Sequence, residues 1–434
     1  MPNEADILEE TLLSFLRRNE SSSAYILAKR TPGIALEDTR TQVDLTKLRR
    51  YRLDRLQSQL KKADCAAALL NDPINVRYAT GTRNMAVWLL HNQGRYCFVP
   101  AEGDVTLFEY PSMNCLPMAR GIEVIGDIRP AKAWSYFFAG EHQEDNCRAW
   151  ADEIVKLFRT IAGENKRLAV DRLDPLGTNA LEARGLSLSD GQALCEKARS
   201  IKSSEEITCM TIAMSACEIG MARMREALKP GISENQLWAL LHHANIEFGG
   251  EWIETRLLSS GGRTNPWFQE ASDRLIRPGD LVSFDTDMIG PFGYCCDVSR
   301  TFFCGPGQPT EEQRLLYSLA MEQIHHNLRL IVPGTAFREI GEKAWKVPQR
   351  YSAQRYASIA HGVGLSDEWP VISHRDSGRA VQEGVLLPGM TICLESYIGE
   401  ADGAEGVKLE QQVLVTETGH QLLSTFPFED ALCT

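Results

Sequence analysis

The chain has 434 residues, 43% hydrophobic and 24% charged, with a formal net charge of −12. Its length exceeds one ordinary domain and predicts two, and the composition is that of a globular protein able to bury a core. The acidic balance argues against a nucleic-acid partner or an anionic membrane surface, because both demand a Lys/Arg surplus.

The opening segment, MPNEADILEETLLSFLRRNESSS, mixes acids among its apolar residues. It predicts an amphipathic helix over about 4–19 and not a signal peptide. No stretch approaches the ~18 apolar residues of a membrane span, and a cytoplasmic location is expected. A second helix is predicted over 44–63, leucine-striped on one side and basic on the other. Short alternating segments follow: the strands CAAALLN, GRYCFVP, VTLFEY and IEVIG, the helix RAWADEIVKLFRTIAG and the strand RLAVD. This is α/β texture with almost no clustered chemistry. The character changes near 198, which sets an N-terminal domain 1–197 and a C-terminal domain 198–434. Ser203 or Ser204 is an N-cap candidate, with Glu205 and Glu206 in the first turn of a helix running to about Leu228. Pro230-Gly231 ends it, and Ser233 opens another. From 252 on, strands dominate: WIETRLLSS, DLVSFDTDMI, YCCDVSRTFF, TICLESYI and VKLEQQVLV, interrupted by helices at about 310–332 and 335–350. The twelve cysteines form no CxxC pair, and several lie in apolar strand-like runs, as reduced buried thiols do.

Five acids sit inside these apolar strands. Asp285 and Asp287 lie in LVSFDTDMIG, a run of strand formers, and their spacing of two puts both carboxylates on one face. Asp297 follows on the returning strand, and Glu395 and Glu410 lie in mid-strand further on. Burying ionised carboxylates together costs several kcal/mol per ion, so such a set needs a cation or must hold protons. His361, in IAHGVGL, offers one nitrogen ligand. Each residue alone is a weak signal; the ordered set is a strong one. Five oxygen donors and one imidazole favour iron(II) or manganese, and tolerate zinc.

These residues resemble the methionine aminopeptidase, aminopeptidase P, prolidase and creatinase group. The carrying motifs are Gly293–Asp297 with Ser299–Phe302, His361–Leu365, Leu394-Glu395 with Ser396-Tyr397, and Glu405–Glu410 with Val413–Glu417. The resemblance covers about 200–420, with a looser one in the smaller α/β domain before it. It implies a C-terminal pita-bread fold, a dinuclear metal site and usually a homodimer.

Two departures from the peptidases bear on activity. Trp267, in Pro266-Trp267-Phe268, stands where they carry a histidine, and Asp367 stands where they carry a second, with one residue fewer before it. The interval from Asp285 to Asp297 is one residue longer than usual, so both Asp285 and Asp287 are assigned to metal. The run HisGlyValGlyLeu-Ser-AspGluTrpPro resembles the dimethylsulfoniopropionate lyases of the DddP type, a non-peptidase branch of the fold. That resemblance implies iron, two ions, at Asp285, Asp287, Asp297, His361, Glu395 and Glu410. It implies Asp367 as the base of a β-elimination giving dimethyl sulfide and acrylate. The expected partner is a small zwitterionic sulfonium substrate. Its cation needs aromatic faces, for which Trp267, Phe268, Tyr356 and Trp369 are the candidates; Tyr356 and Trp369 read equally well as core residues. Glu368 and Trp369 are expected to raise the Asp367 pKa, and Arg300 to pair with a strand carboxylate. A Xaa-Pro peptidase, a metal-free creatinase-like hydrolase and a non-catalytic scaffold are the alternatives.

Overall fold

The computed structural model describes residues 42–112 and 115–433. The helix expected over 4–19 lies outside them. Two compact units divide between Arg199 and Ser200.

The N-terminal unit is built on a six-stranded mixed sheet, ordered Ile125–Pro130, Val105–Glu109, Tyr96–Pro100, Ala67–Leu70, Arg167–Val170, Ser187–Asp190. The expected basic helix is present as Leu45–Lys62, capped by the Asp44 carboxylate, and buries Leu48, Leu53, Leu56 and Leu60. The helix Gln143–Arg159 buries Cys147, Trp150, Ala151, Ile154, Val155 and Phe158, one face at helical spacing, against that sheet. IEVIG is displaced: its strand begins only at Ile125.

The C-terminal unit is the pita-bread domain. Its helices Ser204–Ala227 and Glu234–Glu247 each start in a reciprocal capping box, at Ser203 with Glu206 and at Ser233 with Gln236. A five-stranded antiparallel sheet follows the order Asp367–Ser373, Ser358–Val363, Thr391–Gly399, Gly406–Val415, His420–Leu422. The helix Glu311–Leu328 packs on one face of it, burying Ile392, Leu394 and Ile398 with Val407, Leu409 and Val413. Strand alternation then sends Cys393, Glu395 and Tyr397, and from the next strand Lys408, Glu410 and Gln412, to the opposite face. The apolar half of each strand is thus what aims the acidic half.

The long strands expected over 252–303 are broken. They form two three-stranded sheets, Leu258–Ser260 with Leu281–Asp285 and Ser299–Phe303, and Trp252–Ile253 with Met288–Ile289 and Cys295–Cys296. The helix expected over 335–350 stops at Lys343, and a 3₁₀ turn, Gln349–Gln354, follows Pro348. Among the described residues no helix is long and apolar enough to cross a membrane. All twelve cysteines are free, ten of them buried.

Candidate metal centre

Asp285 ends its strand, and Asp287 adopts a left-handed φ of 35°. The two acids are therefore not neighbours on one continuous strand, as the sequence suggested. The register is nevertheless kept across the break: Asp285 lies opposite Ser299, and Met288 opposite Cys296, which sets Asp287 across from Asp297. The Thr286 hydroxyl fills the gap in the ladder, donating to Cys296 O at 2.8 Å and accepting from Val298 N at 3.0 Å. Oxygens of Asp285, Asp287 and Asp297 converge within 4.8 Å of one another.

The five-stranded sheet supplies the rest. Glu395 lies directly opposite Glu410, and His361 opposite Cys393. His361 Nε2 is 3.3 Å from Asp297 Oδ2, 3.3 Å from Glu395 Oε1 and 3.8 Å from Glu410 Oε1. Its Nδ1 faces the Gly362 carbonyl at 3.0 Å. A carbonyl can only accept, so Nδ1 carries the proton and Nε2 is left to bind a cation. All six sequence-predicted ligands are thereby brought together.

Lys408 was not anticipated as part of the site. Its fully buried ammonium lies 3.1 Å from Asp285 Oδ2, 2.6 Å from Glu395 Oε2 and 3.2 Å from Glu410 Oε2, and donates to Ser299 Oγ at 2.6 Å. A signal existed: Lys408 is a charge in an apolar strand, two residues before Glu410 and so on its face. Cys393 and Cys295 also line the cluster, beside Asp297, His361 and Glu410 and beside Asp287 and Asp367 respectively.

The electrostatics describe a site short of positive charge. Burial, then Asp285 and Asp367, push Asp287 well above the aspartate range. Burial, then Glu410 and its neighbours, do the same to Asp297, and burial with Glu395 raises Glu410. Asp285 is held low: burial is outweighed by the Lys408 charge and by hydrogen bonds from Glu410, Ser299 and Lys408. His361 is pushed up to about 10, its burial outweighed by Glu395, Asp367 and Glu410. Asp285 Oδ1, Asp297 Oδ1 and Glu410 Oε1 are buried with no hydrogen-bond partner. Buried acceptor atoms without donors are costly, and bound cations would satisfy them. The donor set fits a hard metal.

Asp367 stands at the rim, its side chain 61% exposed and Oδ1 3.8 Å from His361 Nδ1. Burial, then the charges of Asp285, Glu395 and Glu368, raise its pKa against the opposing pull of His361. Water at the open side screens part of this rise. Three of the four aromatic candidates gather near the cluster. Tyr356 and Trp267 lie 4.8 and 5.7 Å, ring centre to ammonium, from Lys408 Nζ. Phe268 is 5.5 Å from Tyr356 and 6.3 Å from Trp267, and Tyr397 is 6.0 Å from Trp267. Phe268 is 61% exposed and held at a φ of 75°, a conformation bulky side chains avoid. Trp369 lies elsewhere. It packs edge-on against Phe337, 5.3 Å away, partly buried against the core between strand and helix. Arg300 also differs from expectation: its guanidinium is spent on the carbonyls of Ser299, Glu410 and Phe426 and on Gln411 Oε1, not on a carboxylate.

A buried cluster of carboxylates and an imidazole, mounted on a pita-bread sheet, defines a metal-dependent enzyme. Residues 208–417 match metallopeptidase family M24, and residues 52–204 match the creatinase/prolidase N-terminal domain. The chain belongs to the pita-bread family of creatinases, prolidases and aminopeptidases P. It is 39% identical over 412 residues to dimethylsulfoniopropionate lyase DddP of Roseovarius nubinhibens, covering 93% of this chain and 90% of that protein. It is 37% identical over 399 residues to the lyase of the same name from Roseobacter denitrificans, covering 90% and 88%. A Xaa-Pro dipeptidase of Pyrococcus furiosus is 33% identical over 237 residues, 52% of this chain and 63% of that protein. The fold matches the Xaa-Pro dipeptidase from Bacillus anthracis with a TM-score of 0.70, 21% identity and coverage of 88% of this chain and 99% of that one. It matches the prolidase from Pyrococcus furiosus with a TM-score of 0.67, 24% identity and coverage of 85% and 99%.

Proposed function

We propose that this chain is a metal-dependent dimethylsulfoniopropionate lyase, cleaving its substrate by β-elimination to dimethyl sulfide and acrylate. The observation that carries the reading is Asp367, a carboxylate at the open rim of the cluster with Oδ1 3.8 Å from His361 Nδ1. Two relatives that share this chain over most of its length bear that activity in their names.

Asp285, Asp287, Asp297, His361, Glu395 and Glu410 would hold the metal, two iron ions in this reading. When bound, it supplies Lewis-acid stabilisation of charge developing on the substrate carboxylate. The proton on carbon 2, next to that carboxylate, is very weakly acidic. An ordinary aspartate with a pKa of ~3.9 is a feeble base for it, and burial with the neighbouring Glu368 charge would raise that of Asp367 toward the working range. The electron pair left on carbon 2 forms the double bond as the carbon–sulfur bond breaks. Dimethyl sulfide departs neutral, so no general acid is needed. Phe268, Tyr356 and Trp267 offer ring faces to the sulfonium, each worth about 0.5–2 kcal/mol.

A second reading, Xaa-Pro peptidase, is favoured by the complete ligand set. One experiment separates the two. Purified, metal-loaded protein is given dimethylsulfoniopropionate and, separately, a Xaa-Pro dipeptide, and headspace sulfide and free proline are measured. Metal analysis and solution mass on the same sample test iron and a homodimer. Proline release without sulfide would overturn the proposal.

A further inference from the structure

Lys202 lies at the start of the C-terminal unit and is not one of the cluster's ligands. Its side chain is buried and its ammonium donates to Glu368 Oε2 at 2.8 Å, with the Glu368 side chain equally enclosed. The other Glu368 oxygen, Oε1, accepts the Leu365 amide at 3.0 Å. Glu368 thus closes from within the turn that joins Ser358–Val363 to Asp367–Ser373. The fit is tight: a Cβ on Gly364 would stand 2.5 Å from Glu368 Oε1. Asp367 is the next residue back along the strand, so it projects to the opposite side, into the site.

The Lys202 backbone is anchored separately. Its amide donates to Gly389 O at 2.9 Å, two residues before the strand that carries Cys393 and Glu395. A Cβ on Gly389 would meet Ile201 at 2.9 Å, so this approach too is close. One residue therefore ties the turn leading into a ligand-bearing strand to the hairpin carrying the proposed base.

We propose that Lys202 is a positioning residue for Asp367: through Glu368 it fixes the hairpin turn and so sets the distance from the base to the metal cluster. This rests on the reading of Asp367 as the base. Without Lys202, Glu368 Oε2 loses the 2.8 Å ammonium contact that holds it inside the turn. That loss loosens the Leu365 amide contact and shifts Asp367. Misplacement by ~1 Å at a reacting centre costs on the order of 100-fold in rate.

The test uses the full-length, metal-loaded protein as K202M, K202R and the double variant K202M/E368Q. The double variant removes both charges of the Lys202–Glu368 pair together and guards against simple loss of fold. Sulfide release gives kcat and KM, metal content is measured per chain, and hydrogen exchange is followed at Leu365. K202M is expected to lose at least 10-fold in kcat with KM and metal content within about twofold, and to exchange faster at Leu365. K202R is expected to recover most of kcat. The double variant is expected to fold, hold metal and remain slow. Unchanged kcat in K202M, or a fall that tracks metal loss in both K202M and the double variant, overturns the inference. If the wild type releases no sulfide, the lyase reading fails by itself. Exchange at Leu365 then decides whether Lys202 holds the turn, and protection equal to wild type in K202M refutes it.

Discussion

Replacing Lys408 by methionine removes one charge and little volume from the centre of the carboxylate cluster. In the proposed two-metal state, five ionised carboxylates would be balanced by two divalent ions and the Lys408 ammonium, with His361 neutral. The Lys408 ammonium lies within 3.2 Å of Asp285, Glu395 and Glu410. Removing one partner of a fully buried pair costs about 3–5 kcal/mol, because the other charge stays behind. In a unit of this size that corresponds to a fall in Tm of roughly 10 °C. The loss should be greatest in chelator-stripped protein, where nothing replaces the ammonium. It should be clearly smaller once metal is restored, since the same three acids then face a divalent ion. Thermal unfolding of wild type and Lys408→Met, each stripped and reloaded with iron(II) or manganese, measures both gaps. Equal destabilisation in the two states, or none in either, would refute the charge-balance reasoning.

Three further outcomes follow from the same geometry. Metal loading at pH 7 should release protons, because His361, Asp287, Asp297 and Glu410 all hold theirs above their usual range in the absence of a cation. Titration calorimetry in two buffers of different ionisation enthalpy reads the number released, and affinity should fall as pH falls; zero release would contradict the clustered, buried site. Leucine at Tyr356 or Phe268 should weaken binding of a sulfonium acid about 2- to 30-fold. A neutral thioether analogue should be affected far less, and equal losses for both ligands would remove the cation–π assignment. His374, whose pKa burial and then Arg355 lower to about 4, is neutral when folded and titrates near 6.5 when unfolded. Its contribution is therefore intact above pH 6.5 and lost as pH falls toward 4, about 3 kcal/mol in all. Denaturant titrations at pH 4.5 and 7.5 should show a flatter dependence in His374→Gln than in wild type.

Period-two patterning made much of the site legible in advance. In TICLESYI and VKLEQQVLV the apolar positions alternate with Glu395 and Glu410, and a strand whose apolar half packs under a helix must turn the other half to one side. The helix starts at Ser203 and Ser233 were equally readable, because capping depends on a few adjacent residues. What the chain alone could not settle was convergence between segments far apart in sequence. Nothing local to DLVSFDTDMI announces that the strand breaks at Thr286, or that Asp287 turns left-handed and comes to face Asp297. Lys408 gained its meaning only when strand pairing placed it among three carboxylates. That Trp369, half-buried, meets Phe337 edge-on likewise came from packing between separate elements. Arg300 found carbonyls where a carboxylate was expected. Patterns of period two and 3.6 are written in neighbouring residues and survive without a fold; distances between charges, and the cations those distances demand, exist only after separate strands are laid side by side.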